Sequence, residues 1–326
     1  MAIGKTNVGG GSGGSGGTLT ITAPANVTVT VSKDGKTKTK NSGTSGVVVF
    51  KGLASGTWTV TITGDDKTAK KSVVIITDYS TAISFSTIPE FTYTGNFEIV
   101  NDSDEPITVS QDNWKIRFLT SGTLTFTNLN GAEGGIDVFL VGGGSGGNHS
   151  YRGGAGGGSG YTSTTQAVTV QAGVKYDIAI GAGGAGAKTS GGRAGGATSA
   201  FGSIANGGAT LSSNGVYGGD GGSGGGSGTL SQDKDGAYSK AGVGGTDGAN
   251  GQGTHPGTGQ GTTTREFGEP GGTLYATGGK GAAGNNITPD PVSQNTGDGG
   301  NGAGSSIEST AGGSGIAIIR NTRGAA

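Results

Sequence analysis

The stretch from residue 142 to residue 315 limits the possible folds of this chain more than any other feature. It holds 57 glycines in 174 residues, about one in three, whereas glycine makes up roughly 7% of ordinary globular proteins. Ordering glycine costs more conformational entropy than ordering any other residue, and glycine adds no side chain to a core. Two interpretations therefore compete: a disordered, low-complexity tail, or a packed architecture that requires glycine.

Outside the glycine clusters, short apolar segments alternate at period two. Runs rich in Val, Ile, Thr and aromatic residues lie between Gly and Asn/Asp turns, and no convincing helical periodicity is present. The sequence therefore predicts an all-β protein. Such strands also enter, interrupt and close the glycine-rich stretch, at 136–141, 166–170, 176–180 and 316–320. An apolar strand at its end needs partners, which favours a folded unit over a disordered tail.

Composition divides the chain into four predicted segments. These are a flexible Gly/Ser-rich arm at 1–17, a small β-sandwich at 18–87, a β-strand region at 88–141 and a glycine-rich domain at 142–326. Within the predicted sandwich, Lys36, Lys38 and Lys40 recur at period two on one face of a strand. This pattern favours a solvated or edge-protecting face over a binding function.

Charge and cysteine content narrow the function classes. There are no cysteines, which excludes disulfides and Cys-based metal sites. The net charge is −1 and the sequence indicates no basic face, so the charge pattern does not favour a nucleic-acid partner. No apolar run of about 18 residues occurs, so no membrane span is expected. The first residues lack the apolar region of a secretory signal, so none is expected.

Several patterns superficially suggest catalysis or ligand binding. Residues 181–189 resemble a P-loop, but Ala187 stands where that motif has glycine, and the following residues cannot form a helix. Asp220, Asp247 and Asp298 share no nine-residue register of a calcium-binding repeat.

The remaining candidate ligands also lack a supporting pattern. His149 and His255 are far apart in sequence and belong to no catalytic arrangement. The acidic loop 101–106 lacks calcium-loop spacing and is interpreted as a solvated turn. We therefore expect no enzyme activity, no cofactor and no metal site.

Four segments follow one another in the C-terminal part of the chain. They are Ile136 to Gly144, Val168 to Tyr176, Ile178 to Gly186 and Gly312 to Arg320. In this order they resemble the glycine-rich domain of phage tail fibres and receptor-binding adhesins, over about residues 114–321. The resemblance implies a β-framework that carries a bundle of glycine-rich polyproline-II helices (polyglycine-II-type) and holds a receptor at a fibre tip. Residues 18–87 resemble bacterial Ig-like and PEGA-type modules, through the run from Gly46 to Val60, and such modules are mostly spacers.

A glycine bundle of this kind is physically reasonable. A polyproline-II helix has about three residues per turn and no internal hydrogen bonds, so its backbone groups are free to pair with neighbouring helices. Only glycine lets backbones approach that closely. A strict Gly-X-Y repeat with proline is absent, which excludes a collagen triple helix.

Four patches interrupt the glycines, at 148–152, 229–238, 254–270 and 286–295. If the glycine segments are rods, these patches are loops at their ends, where binding residues are often found. They hold side chains suited to stacking on sugars or to filling protein pockets. These candidate receptor-binding residues are Tyr151, Arg152, Tyr238, His255, Arg265 and Phe267. The alternative is that the patches are simple turns with solvated side chains.

Together these features favour a non-enzymatic phage virion protein, a tail fibre or a receptor-binding adhesin, located in the virion tail and extracellular after host lysis. The expected partners are a host cell-surface receptor (a glycan or an outer surface protein), other virion proteins bound through the N-terminal region, and further copies of the chain. One alternative is a structural subunit of an extracellular filament or a virion decoration protein. Another is a flexible linker without a binding role.

Overall fold

The computed structural model shows an all-β protein, as the sequence predicts. It describes residues 16–64, 67–82, 88–107, 113–151, 153–189, 191–209, 216–228, 242–245, 249–252, 255–258, 264–282, 288–304 and 307–323. Strands and one short 3₁₀ turn, Glu266–Gly268, make up the regular structure of these residues. The chain forms two compact units, Met1–Ser86 and Thr87–Ala326. The alternating segment 83–85 also predicts a strand, and it lies outside the described residues.

The first unit is a two-layered β-sandwich. Its strands are β1 (Gly17–Thr22), β2 (Thr28–Lys33), β3 (Lys36–Asn41), β4 (Val47–Leu53), β5 (Gly56–Gly64), β6 (Lys67–Ile75) and β7 (Tyr79–Ala82). One sheet has the order β4-β1-β7, and the other has the order β3-β2-β5-β6. Every second residue points inward, so Leu19 and Ile21 of β1 share one buried core with Val29, Val31 and Trp58.

The second unit contains a strand framework and the glycine-rich stretch. Its strands are β8 (Glu90–Tyr93), β9 (Phe97–Val100), β10 (Lys115–Phe118), β11 (Gly122–Asn128), β12 (Ile136–Val141), β13 (His149–Ser150), β14 (Thr162–Val168), β15 (Lys175–Ile178), β16 (Thr198–Ala200), β17 (Ser203–Ala205), β18 (Ala303–Gly304) and β19 (Ile316–Asn321). The main sheet has the order β14-β12-β19-β10-β9, and a smaller sheet has the order β15-β11-β8. The pairs β13–β18 and β16–β17 form two small ladders.

Two central strands, β12 and β19, are buried on both faces of the main sheet. They pair antiparallel along their whole length, and every residue of β12 is buried. One apolar cluster beside them contains Trp114 and Phe126, and a second contains Phe267 and Tyr275. This two-sided burial explains why the sequences of β12 and β19 are almost continuously apolar.

The glycine-rich segment 142–148 continues directly from β12, and its backbone N–H groups donate hydrogen bonds with a period of three residues. Successive N–H groups point to three neighbouring segments in turn, and the fourth returns to the first. The donor–acceptor pairs, with N···O distances of 2.8 to 3.0 Å, are Gly142–Tyr161, Ser145–Gly158 and Asn148–Ala155 with the first neighbour, Gly143–Gly196 and Gly146–Arg193 with the second, and Gly144–Gly313 and Gly147–Thr310 with the third. All three neighbours run antiparallel to the segment. A period of about three residues is that of a polyproline-II helix.

Three further segments complete the shell around segment 142–148 by donating hydrogen bonds to its carbonyl oxygens. The donor and acceptor residues are Gly208 and Gly143, Gly184 and Gly144, and Gly300 and Ser145, at 2.8 to 2.9 Å. These neighbours run parallel to the segment, as the facing of Gly143 and Gly146 toward Ala182 and Ala185 shows. One extended rod is therefore surrounded by others on all sides, and its backbone groups pair outward.

Glycine is required where these backbones meet. A Cβ atom at Gly144 would lie 1.9 Å from the carbonyl oxygen of Asp298, and one at Gly146 would lie 2.0 Å from that of Ala185. No side chain fits at such distances, so the interior of the bundle consists largely of main chain. Residues 142–148 and 153–160 are all buried. The disordered-tail interpretation therefore does not describe these segments.

We expect Gly144→Ala to destabilise the second unit by more than about 3 kcal/mol, because the added methyl group would force two hydrogen-bonded backbones apart. Gly134→Ala is the matched control, since a Cβ atom in that turn meets nothing within 4 Å beyond its chain neighbours. The control should change stability by less than about 0.5 kcal/mol. Thermal unfolding of both variants measures the difference, and equal stabilities would contradict a main-chain core.

Candidate functional site

The hydrogen bonds between segments show which residues lie at each end of the glycine bundle. We call the end next to the main sheet the proximal end and the opposite end the distal end. Segment 142–148 runs from β12 toward the distal end, and segment 153–161 runs back antiparallel to it and enters β14. The turn between the two segments, which contains Tyr151, therefore lies at the distal end.

Other chain connections start or end at the same level as the Tyr151 turn. In each of them a described residue contacts a residue that flanks this turn. The pairs are Gly192 with Asn148 (N–H to Oδ1, 2.6 Å), Ala303 with Asn148 (N–H to carbonyl, 3.0 Å), Ala282 with Gly154 (N–H to carbonyl, 2.8 Å) and Gly228 with the carbonyl of Gly153. Several rods of fixed register thus end beside the Tyr151 turn.

Two of the predicted binding residues belong to the distal half of the bundle. Tyr151 is 70% exposed. His255 is exposed as well, and its backbone lies against Gly226 on an outer rod. Arg152 and Tyr238 lie outside the described residues. The distal half therefore presents an aromatic and an imidazole side chain to solvent.

A polar cleft of about 100 Å³ adds to this surface. Its lining includes Lys280, Thr288, Pro289, Asp290 and Asn301. Asn301 Nδ2 donates to the carbonyl of Asp290 at 2.8 Å, while the ammonium of Lys280 lies 3.9 Å from the Asp290 carboxylate. Both charged side chains are mostly exposed, so the cleft offers donors and acceptors to a polar ligand. Three of its lining residues, Thr288, Pro289 and Asp290, belong to the patch predicted at 286–295.

The other two predicted residues lie at the proximal end, and Phe267 requires a correction. Phe267 is only 5% exposed. Its ring centroid lies 5.8 Å from that of Phe139, and the Arg320 guanidinium lies 4.1 Å from the Phe267 centroid. Phe267 therefore belongs to the core and is not a surface contact. Arg265 is half-buried, and its Nη1 donates to the carbonyl of Gly272 at 3.1 Å.

A buried ionic cluster joins the segment 264–275 to the main sheet. The Lys115 ammonium lies 2.5 Å from the Asp104 carboxylate and 2.6 Å from that of Glu266. Arg117 lies 2.7 Å from Asp104. Lys115 and Glu266 are 4% and 2% exposed, so each needs its partner to offset the loss of hydration.

The cluster continues along β19 around a cavity of about 280 Å³. Arg320 pairs with Asp137 at 3.2 Å and with Glu269 at 2.6 Å, and Arg323 pairs with Asp102 at 2.6 Å. Asp102 and Asp104 of the acidic loop 101–106 thus form ion pairs, while Glu105 is exposed, as expected of the solvated turn that the sequence suggests. These ion pairs link five carboxylates with four cationic side chains and make the cluster an anchor for the proximal segment.

Electrostatics at the cluster follow from burial and from these ion pairs. Burial alone would raise the pKa of the Asp104 carboxyl, but the hydrogen bond from Lys115 and the charge of Arg117 outweigh it and hold that pKa below its usual value. Burial raises the pKa of the Tyr275 hydroxyl, which lies 3.4 Å from Arg117. Over the described ranges, no group of three or more His, Asp or Glu side chains is placed to hold a metal ion.

The fold and its surfaces define a class of protein: an all-β chain in which a strand framework carries a glycine bundle packed through its main chain. The family model described as a glycine-rich domain matches residues 119–322, more than half of the chain. The protein belongs to this glycine-rich domain family. A comparison with curated proteins finds no match. Within the part of the chain that the structure describes, no helix has the length and apolar character to cross a membrane.

We expect Asp104→Asn to lower the free energy of unfolding at pH 7 by about 2 kcal/mol, because Lys115 and Arg117 lose a charged partner. A carboxyl with a lowered folded-state pKa stabilises the protein above its unfolded pKa of about 3.9 and loses this effect as pH falls toward the folded value. The deficit of the variant should therefore shrink between about pH 5 and pH 2. Denaturant unfolding across this range measures it.

The control for this experiment is Glu105→Gln, which removes a neighbouring carboxylate that is exposed. Its effect on stability should stay below about 0.5 kcal/mol at each pH. A deficit of Asp104→Asn that does not change with pH would contradict the ionic role of Asp104.

Phe267→Ala should lower the stability of the second unit by about 3 kcal/mol, since it removes a buried ring from between Phe139 and Arg320. Tyr151→Ala removes an exposed aromatic ring from another interrupting patch and should change stability by less than about 0.5 kcal/mol. Thermal denaturation distinguishes the two. Similar small losses in both variants would show that Phe267 does not support the core.

Proposed function

We propose that this chain is a non-enzymatic phage virion protein, a tail fibre or receptor-binding adhesin, which contacts the host cell surface through the distal loops of its glycine bundle. The observation that carries this proposal is that several rods end together beside the Tyr151 turn, at one end of a bundle whose interior is largely main chain. Membership of the glycine-rich domain family is consistent with it.

The bundle suits recognition because its packing does not depend on the side chains of its loops. Hydrogen bonds between backbones set the positions of the rods. Side chains of the distal turns can therefore change without disturbing the core, while these turns stay on a rigid support. A rigid support lowers the entropy cost of ordering a binding surface.

The described distal surface offers chemistry suited to a glycan or to an outer surface protein. Tyr151 provides an exposed aromatic ring for stacking or for insertion into a pocket. Lys280, Asp290 and Asn301 provide charges and an amide beside the cleft. In this proposal the first unit serves as a spacer or as an attachment to other virion proteins, and several copies of the chain assemble in the virion tail. The protein becomes extracellular after host lysis.

The proposal can be tested with fluorescently labelled full-length chain on a panel of bacterial strains, followed by competition with phage adsorption on the strains that bind. Tyr151→Ala should weaken cell binding by roughly tenfold, because exposed aromatic residues are frequent binding hot spots. Ile204→Ala is the matched control, as Ile204 is 58% exposed on the short ladder β16–β17 beside the main sheet. The control should bind like the wild type.

Two outcomes would contradict the proposal. The first is equal cell binding by the wild type and by a variant that combines Tyr151→Ala with Asp290→Ala and Asn301→Ala. The second is concentration-dependent polymerisation of the wild type that buries Tyr151, which would favour the filament or decoration protein. Fluorescence from a dye placed next to Tyr151 distinguishes burial between copies from exposure.

A further inference from the structure

The first unit presents a lysine-lined groove where two edge strands lie side by side. The groove has a volume of about 600 Å³ and is lined by Lys38, Thr39, Lys40, Val49, Phe50 and Lys51. Its walls are β3, the outer strand of the four-stranded sheet, and β4, an outer strand of the three-stranded sheet. All six residues of β3 are exposed. The groove is therefore open along the length of the strand.

Lys38 and Lys40 reach across this groove. The Lys38 ammonium donates to the carbonyl of Lys51 at 2.7 Å, and that of Lys40 donates to the carbonyl of Val49 at 2.6 Å. These contacts protect the free edge of β4, in agreement with the edge-protecting role predicted from the sequence. They also hold the two charges in place, and an ammonium has three N–H donors, so each keeps a donor for a ligand.

The positive charge of the groove is not paired with acidic side chains among the residues that the structure describes. Residues 33–51 contain five lysines and a single acidic residue, Asp34. Within the described residues, Lys36, Lys38, Lys40 and Lys51 form no ion pair. Electrostatic complementarity therefore favours an anionic partner.

The spacing of the lysines favours a polymer over a single small anion. Alternate residues of a β-strand lie roughly 6.6 Å apart. Lys36, Lys38 and Lys40 thus form a row of charges about 13 Å long on one face of β3. A chain that repeats a negative group can contact several of these lysines at once and releases bound counterions when it does so.

The groove exposes no aromatic side chain among its lining residues, and this argues against single-stranded nucleic acid as its polyanionic ligand. Sites for single-stranded nucleic acid usually stack bases on exposed aromatic side chains. Phe50 is the aromatic residue in this groove, and it is 1% exposed. The groove therefore offers charged side chains and the polar backbone groups of its edge strands, without an aromatic surface for stacking.

We propose that the β3–β4 groove binds a linear anionic glycan, a polysaccharide that carries carboxylate or phosphate groups. The lysine ammonium groups contact the negative groups of successive repeats. This surface belongs to the first unit and works independently of the distal loops of the second. In a protein that acts at a cell surface, it would supply a weak, sequence-tolerant attachment to the envelope.

Titration of the full-length chain with polygalacturonate, with a phosphorylated mannan and with neutral dextran tests this proposal. We expect binding to at least one anionic glycan, none to dextran, and a steep loss of affinity with added salt. The double variant K36Q/K51Q should weaken binding about tenfold at low salt and reduce the salt slope by about two. Neither side chain makes a hydrogen bond among the described contacts, so the thermal midpoint should stay unchanged.

The matched control is K175Q/K188Q, which removes the same charge from exposed positions of the second unit. It should bind the glycan like the wild type, and so should Tyr151→Ala, because the distal loops are not involved. Equal weakening by the two double variants would overturn the proposal, since it would reveal a nonspecific charge effect. Failure to bind either anionic glycan, or tighter binding to oligo(dT), would overturn it as well.

Discussion

The rods of the glycine bundle are held by hydrogen bonds between main chains that approach too closely for a Cβ atom. Each such bond contributes about 1 kcal/mol net, whereas ordering the backbone of one residue costs roughly 1–2 kcal/mol. The seven N–H bonds of segment 142–148 therefore do not offset its ordering by themselves. Hydrogen bonds that its carbonyl oxygens accept from Gly184, Gly208 and Gly300, dispersion contacts between tightly packed backbones, and the adjoining strands contribute the rest. The bundle depends on the strands from which it grows.

The strand framework supplies that support by fixing where the rods begin and end. Residue 142 follows β12, residue 161 precedes β14, and residue 315 precedes β19, and these three strands are neighbours in one sheet. The register of the strands in the sheet therefore sets the register of the rods. At the proximal end, Phe267 and the pairs made by Lys115 and Arg320 fasten the segment 264–275 to the same sheet. A local change at this anchor is expected to loosen rods that are distant in sequence.

Much of this framework is predictable from the sequence, because apolar alternation reports local structure. The strands at 136–141 and 316–320 and the need for glycine at close approach follow from pattern and sterics alone. The neighbours of each rod cannot be predicted in this way, since glycine segments are chemically alike and have no side chains that would specify which segments pair or in which register. Phe267 looks like a loop residue because only Phe139 and Arg320, far away in sequence, make it part of the core. The ion pair between Lys115 and Glu266 is likewise hidden in the sequence, because the two residues are far apart along the chain.

A main-chain core also changes how the surfaces of this protein are constrained. In an ordinary domain, core side chains fix the loops, so surface and interior sequences are coupled. Here the rods require little more than the absence of a Cβ atom, as Gly144 and Gly146 show. The residues between the rods, such as Tyr151 and Asp290, are then free to follow the demands of a ligand. The first unit differs, because Lys38 and Lys40 must protect the edge of β4 whatever they bind. The recognition proposed for the β3–β4 groove is therefore tied to strand protection, and its residues should vary less than those of the distal turns.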